Sequence, residues 1–385
     1  MTYTSVVTAD ENPFKGMIFT DPSETTDGDW AKYGCFDHVD YTGEEINPEV
    51  FLAILSGDAD RVKELTGKQN PKVMSYSKED TLFTYFMDHG TPEYIYVGED
   101  VVPSFALREA MQTAYEKQFY GKWIWFMEAC YSGSMFMEFP SDWNVYILTS
   151  ADDAHSANMN NCPPDDVIAG QELNTCLSGL WDNVWLDYAN DHPDVTLGEL
   201  YDAVKERVAE ESSQNPSQFG DLSFRDLPLS EFFGKAPSSS PRSRLSPNAM
   251  AENRNRNVNR NTGSVPLDQV PLHLAKWRAI RASNEVMREE AFALLKKEVS
   301  ANARREVERM RLGTQFLSEK ESDFAIHHGS NEGYSASCVS DLQMGLYKHC
   351  GHPATPGKET MNLLRAICKK DFRLPSLNWS AICFE

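Results

Sequence analysis

The chain lacks any long apolar run. No stretch of its 385 residues approaches the ~18 apolar residues of a membrane helix, so no membrane span is expected. Basic charge is also scarce: 36 Lys and Arg stand against 58 Asp and Glu, a formal net charge of −22. A nucleic-acid partner needs a basic stripe, and that deficit argues against one. The deficit lies in the front of the chain. Residues 1–235 carry 14 basic and 42 acidic side chains, whereas 236–385 carry 22 and 16. Net charges of −28 and +6 lead to the expectation that the tail docks on the front. The first residues, Met1 to Val7, have neither a basic nor an apolar segment of a secretory signal. Zinc-type ligand spacing is missing too. His349-Cys350-Gly351-His352 has no second Cys/His pair to complete a site, so no metal is expected, and no cofactor.

Cysteines are few but crowded at one end. Cys338, Cys350, Cys368 and Cys383, four of the eight, fall in the last 48 residues. That density implies two disulfides and an oxidising compartment, with three pairings open on spacing alone.

The front alternates between two periodicities. Glu49–Leu65, Ser104–Phe119 and Leu197–Ser213 place apolar residues at helical spacing. Between them lie short apolar runs, Thr81–Phe86, Trp123–Met127 and Val145–Leu148, that read as strands buried on both faces. Alternation of this kind implies an α/β fold, a mainly parallel sheet flanked by helices. Pro237–Thr262 breaks the pattern: it is rich in Ser, Pro, Asn and Arg and reads as a linker. Leu272–Leu312, Gly345–His349 and Met361–Lys370 then read as helices of a small cross-linked module. The expected division is a front domain over 1–235, a linker over 236–284 and a helical tail over 285–385.

Two strand ends carry chemistry. One run stops at Met87-Asp88-His89-Gly90, and another at Glu128-Ala129-Cys130-Tyr131-Ser132-Gly133. Functional groups gather beyond the carboxyl ends of parallel strands, which brings His89 and Cys130 to one sheet edge. A thiol becomes a nucleophile on losing its proton, and an imidazole titrating near neutrality can take that proton and return it to a leaving amine. The backbone N–H groups of Gly90 and Cys130 are candidates for an oxyanion hole.

Those two motifs, with Asn12–Phe19, Asp37–Gly43 followed by Asn47-Pro48, Phe51–Asp58, Val270-Pro271-Leu272 and the four tail cysteines, resemble the legumain family of caspase-like cysteine proteases. The resemblance implies a caspase-like sheet followed by a disulfide-bonded, all-helical prodomain. It implies Cys130 as nucleophile, His89 as general base and acid, and Gly90 and Cys130 as oxyanion donors. Glu128 would accept from the side-chain amide of a P1 asparagine, Ser156 would line the same pocket, and Asp88 would stand beside the active site. The tail disulfides would be Cys338–Cys368 and Cys350–Cys383. The implied function is an asparagine-specific endopeptidase zymogen of an acidic lysosome-like or secretory compartment. Its partners would be peptide substrates, its own tail and cystatin-like inhibitors. Candidate activation sites are Asn284 and the linker asparagines Asn253, Asn255, Asn257, Asn259 and Asn261.

The chain departs from the family pattern in two places. It starts at what reads as the end of the pattern's second strand, without the stretch that carries an Asn orienting the catalytic His and an Arg-His pair of the pocket. The pocket aspartate falls near Leu177-Ser178-Gly179, where no acid stands; Asp182 lies three residues on, and an altered P1 preference is expected. Two other readings compete. A GPI transamidase catalytic subunit shares the His and Cys motifs, but the cysteine-rich tail disfavours it. A truncated pseudoenzyme with a helical binding module is opposed by the presence of His89, Glu128 and Cys130.

Overall fold

The computed structural model describes residues 12–22, 24, 39–233, 263–328, 335–352, 357–369 and 377–383. Asp37, His38 and the linker asparagines, Asn261 included, lie outside the described residues. The stretch read as one helix over Glu49–Leu65 is two, α1 (Pro48–Leu55) and α2 (Ala59–Thr66). Asn47 and Asp58 cap them, each accepting a backbone N–H of the first turn.

The chain then forms β1 (Thr81–Met87), the small meander β2 (Gly90–Thr91), β3 (Tyr94–Val97) and β4 (Asp100–Pro103), helix α3 (Ser104–Glu116), β5 (Lys122–Glu128) and β6 (Val145–Thr149). Three short strands follow, β7 (Asn158–Asn160), β8 (Val167–Ile168) and β9 (Gln171–Glu172). After them come β10 (Ser178–Gly179), α4 (Leu180–Asp191), α5 (Leu197–Glu211), β11 (Ser217–Gly220) and the short α6 (Ser230–Phe233). The main sheet has the order β1-β5-β6-β11; β1, β5 and β6 run parallel and β11 antiparallel.

Alternation along the two central strands builds two cores. Trp123, Trp125 and Met127 of β5, with Val145 and Ile147 of β6, face one layer with Leu107, Ala110, Met111 and Ala114 of α3. Ile124, Phe126, Tyr146 and Leu148 face the other, against α4 and against Leu197, Leu200, Val204 and Val208 of α5. These strand residues are at most 3% exposed, and each large one contributes roughly 2–3 kcal/mol by burial. The expectation of burial on both faces fails for β1. It is an edge strand among the described residues, and its Tyr85 and Met87 are 40% and 61% exposed. Hydrophobicity marks a strand, but its neighbours decide its burial.

The tail begins with β12 (Val265–Pro266), which pairs antiparallel with β7 as the third strand of the sheet β10-β7-β12. The run read as one helix over Leu272–Leu312 is split into α7 (Val270–Arg281) and α8 (Glu285–Phe316). Between them stands exposed Asn284, the N-cap of α8, whose side chain accepts from Met287 N. Helices α9 (Glu319–His328), α10 (Ala336–Cys350), α11 (Lys358–Cys368) and α12 (Trp379–Ile382) complete a module around Leu342, Leu346, Leu363 and Leu364. Cys338–Cys368 and Cys350–Cys383 are joined, tying α10 to α11 and to the chain end. A third disulfide, Cys162–Cys176, which the sequence reading lacked, closes the loop holding β8 and β9. No described helix is long and apolar enough to cross a membrane.

Candidate active site

Parallel pairing puts β1 and β5 in register, with Met87 opposite Glu128 and Asp88 N donating to Glu128 O at 3.2 Å. The next residues of each strand are therefore neighbours. A Cβ at Gly90 would stand 2.2 Å from Cys130 O, so only glycine permits this approach of the His89–Gly90 backbone to the thiol's own residue. His89 is exposed, and its ring meets Tyr96 edge-on at 6.2 Å. Asp88 Oδ1 accepts from His89 N at 2.7 Å, which fixes the turn.

Cys130 is fully buried and outside the three disulfides. The chain turns sharply after it: Tyr131 has φ +56° and ψ +22°, a left-handed conformation that costs a side-chain-bearing residue about 1 kcal/mol. Two groups from the loop after β6 reach the sulfur. Ala157 N donates to Sγ at 3.1 Å, and Ser156 Oγ lies 3.1 Å from it. The Ala157 N–H favours the thiolate, and between Ser156 Oγ and Sγ either atom can donate.

Glu128 stands two residues before Cys130 and is 6% exposed. Its Oε2 is buried and has no hydrogen-bond partner among the described residues. Asp182, 5% exposed and in the first turn of α4, turns back toward Glu128. A Cβ at Gly179 would meet Asp182 Oδ2 at 2.9 Å and Glu128 Cδ at 3.1 Å, so both carboxyls converge over this glycine. Tyr85 of β1 donates to Asp182 Oδ1 at 2.8 Å, and Trp185 Nε1 lies 3.4 Å from it. Burial pushes the Glu128 carboxyl well up, and the Asp182 charge pushes the same way. Burial pushes Asp182 up to about 6 against the opposing bonds from Tyr85 and Trp185. The pair therefore holds a proton through weakly acidic pH. With one proton it presents one donor and one acceptor, the complement of a carboxamide.

The tail covers this site. Cys130, Tyr131 and Ala157 share a cluster with Leu342, Leu346, Met361 and Leu364 of α10 and α11. Arg365, 1% exposed, donates to Asp153 O at 2.7 Å and lies 5.8 Å over the Tyr131 ring. Tyr96 meets Tyr347 edge-on at 6.0 Å, and Ser340 donates to Pro92 O. Farther out, Arg281 of α7 forks onto buried Asp166 at 2.6 and 3.0 Å and reaches Glu172 at 3.2 Å. Tyr85 and Arg365 are not marked by the sequence, which singles out Asp182 only as an acid three residues past the expected pocket position. The signal for Asp182 was weak, since one acid near a helix start is common.

Residues 1–235 match a family model described as the Peptidase C13 family, and the chain belongs to that family. Among similar curated proteins, legumain of Mus musculus is 32% identical over 244 residues, 63% of this chain and 52% of legumain. The hemoglobinase of Schistosoma japonicum is 29% identical over 283 residues, 73% of this chain and 59% of that protein. The vacuolar-processing enzyme of Vicia sativa is 26% identical over 381 residues, 95% of this chain and 73% of that protein. The chain thus spans about half the length of the legumain it matches. A crystal structure of caspase-1 from Spodoptera frugiperda aligns over 47% of this chain and 70% of that one. Its TM-score is 0.32 and its identity 13%, a likeness too slight to carry an argument.

Proposed function

We propose that the chain is the latent form of a cysteine endopeptidase cleaving after asparagine, with the helical tail as a latch released in an acidic compartment. Cys130 attacks the scissile carbonyl and His89 moves the proton from thiol to leaving amine. Backbone N–H groups around Gly90 and Cys130 hold the developing oxyanion. The observation that carries the asparagine reading is Glu128 Oε2, a buried polar atom with no partner among the described residues, beside Asp182. A buried, unsatisfied carboxyl costs about 1–3 kcal/mol, which a bound carboxamide relieves and an alanine side chain does not.

The test is hydrolysis of fluorogenic peptides with Asn, Asp or Ala at P1, using the chain after acid incubation. Asn is expected to lead Ala by at least about a hundredfold in kcat/KM. Glu128→Gln keeps the shape but removes the shared proton, and is expected to cut Asn turnover about tenfold with little effect on Ala. Equal turnover of Asn and Ala would sink the pocket assignment. Cleavage of none of them by the folded chain would sink the peptidase reading.

The latch carries its own prediction. Arg365→Ala removes a charged hydrogen bond and a buried cation–π contact, and is expected to weaken tail docking by about 2–3 kcal/mol. Peptide cleavage near neutral pH, without acid incubation, should then rise. Unchanged latency in a folded Arg365→Ala chain would show that Arg365 is no latch.

A further inference from the structure

The loop between β6 and β7 is tied around one carboxylate. Asp152 Oδ1 accepts from Ala154 N and His155 N, each at 2.8 Å. His155 Nδ1 lies 2.8 and 2.9 Å from its two oxygens, and Asn215 Nδ2 donates to Oδ2 at 2.7 Å. Gly133, in the turn after the nucleophile, packs on the Asp152 backbone. The knot is braced from outside. Gln214 Nε2 donates to Ser150 O and its Oε1 accepts from Asn158 N, holding both ends of the loop. Two further bonds connect it to the site: Tyr131 N donates to His155 O at 2.9 Å, and the next two residues supply Ser156 Oγ and Ala157 N to Cys130 Sγ.

We propose that Asp152 is a positioning residue for the nucleophile, holding the 152–157 loop so that the Ser156 hydroxyl and Ala157 N–H stay aimed at Cys130 Sγ. Asp152 makes none of the contacts to sulfur itself and acts through the loop. Gln214 and Arg365 also hold the segment, at Ser150 O, Asn158 N and Asp153 O, but Asp152 gathers the backbone N–H groups of 154 and 155, immediately ahead of the two groups that touch sulfur. The carboxylate suits an acidic compartment. Burial alone pushes Asp152 up, yet the bonds from His155, Asn215 and Ala154 outweigh it and hold it below the usual carboxylate range. The knot therefore persists where ordinary exposed carboxylates begin to protonate.

The inference rests on the peptidase reading only for its kinetic readout, so two measurements are paired. The first is the ultraviolet titration of the Cys130 thiolate in the full-length chain, taken as a difference against Cys130→Ser. Asp152→Ala is expected to move the midpoint up by about one pH unit, through poorer donation to sulfur. The second is turnover after acid incubation, where kcat should fall about tenfold or more with KM little changed. Asp152→Asn still offers an oxygen to both backbone N–H groups and should rescue most of both losses. Asn215→Ala removes one outer bond and should shift the thiolate midpoint by a smaller amount in the same direction, which keeps the test alive if Asp152→Ala does not fold. A folded Asp152→Ala, or failing that Asn215→Ala, with an unmoved midpoint would overturn the proposal. A shifted midpoint in a chain that cleaves no peptide would support the positioning role while removing the peptidase.

Discussion

Cys130→Ala is expected to lower hydrolysis of an Asn peptide by at least about four orders of magnitude, the scale on which nucleophile removal acts in catalytic units of this type. The substitution removes one sulfur atom from a fully buried position. It forfeits the bonds to Ala157 N and Ser156 Oγ, so stability should fall by only about 1–2 kcal/mol. The separation of the two effects is the point: activity vanishes while the melting transition moves by a few degrees. On the proposed mechanism His89→Ala should cost nearly as much, because the imidazole is exposed and its loss would remove the proposed proton transfer. The double variant should lose no more than Cys130→Ala alone, since groups that act as a unit are not additive. Initial rates on the fluorogenic peptide, together with thermal melts of the three variants, check this. Appreciable cleavage by folded Cys130→Ala would place the chemistry elsewhere.

The α/β class was legible because β5 and β6 are buried on both faces and therefore read as unbroken apolar runs. Their abrupt ends at polar residues also drew attention to His89 and Cys130, which the sheet register then makes neighbours. Edge position was not legible: Thr81–Phe86 is as apolar as a central strand, and only pairing shows that nothing described lies beyond it. Asp182 was legible only as an acid three residues past the expected position, because it reaches Glu128 by a helical turn back over Gly179, a relation that strand-end reasoning does not contain. Asp152 and His155 had a signal that went unread. They follow Val145–Thr149, a third apolar run that stops at polar chemistry, as β1 and β5 do. The Cys162–Cys176 bridge had none, since a spacing of 14 residues fits many arrangements.

Acid is expected to loosen the tail from within. The titrating group is His352, whose Nε2 lies 3.0 Å from Glu308 Oε2 of α8, both side chains 3% exposed. Burial pushes the imidazole down to about 4; the bond and charge of Glu308 oppose this, while Arg305 and Arg309 reinforce it. Arg309 is itself paired with Glu359 of α11 at 2.7 Å, and Asp268 and Glu298 act on Arg305, so the surroundings hold charge of both signs. In the folded tail His352 stays neutral down to about pH 4, whereas in the unfolded tail it takes a proton below about pH 6.5. Between those values the unfolded state binds more protons. The contribution is therefore intact above about pH 6.5 and is lost as pH falls toward about 4, amounting to about 3 kcal/mol. His352→Gln retains an N–H donor for Glu308 but cannot titrate. Its tail should melt at nearly the same temperature at about pH 7 and about pH 4.5, while the wild-type tail melts several degrees lower at the acid value. Release of peptide-cleaving activity should shift to lower pH in the same variant. An identical acid-induced drop in melting temperature for both chains would remove His352 as the sensor.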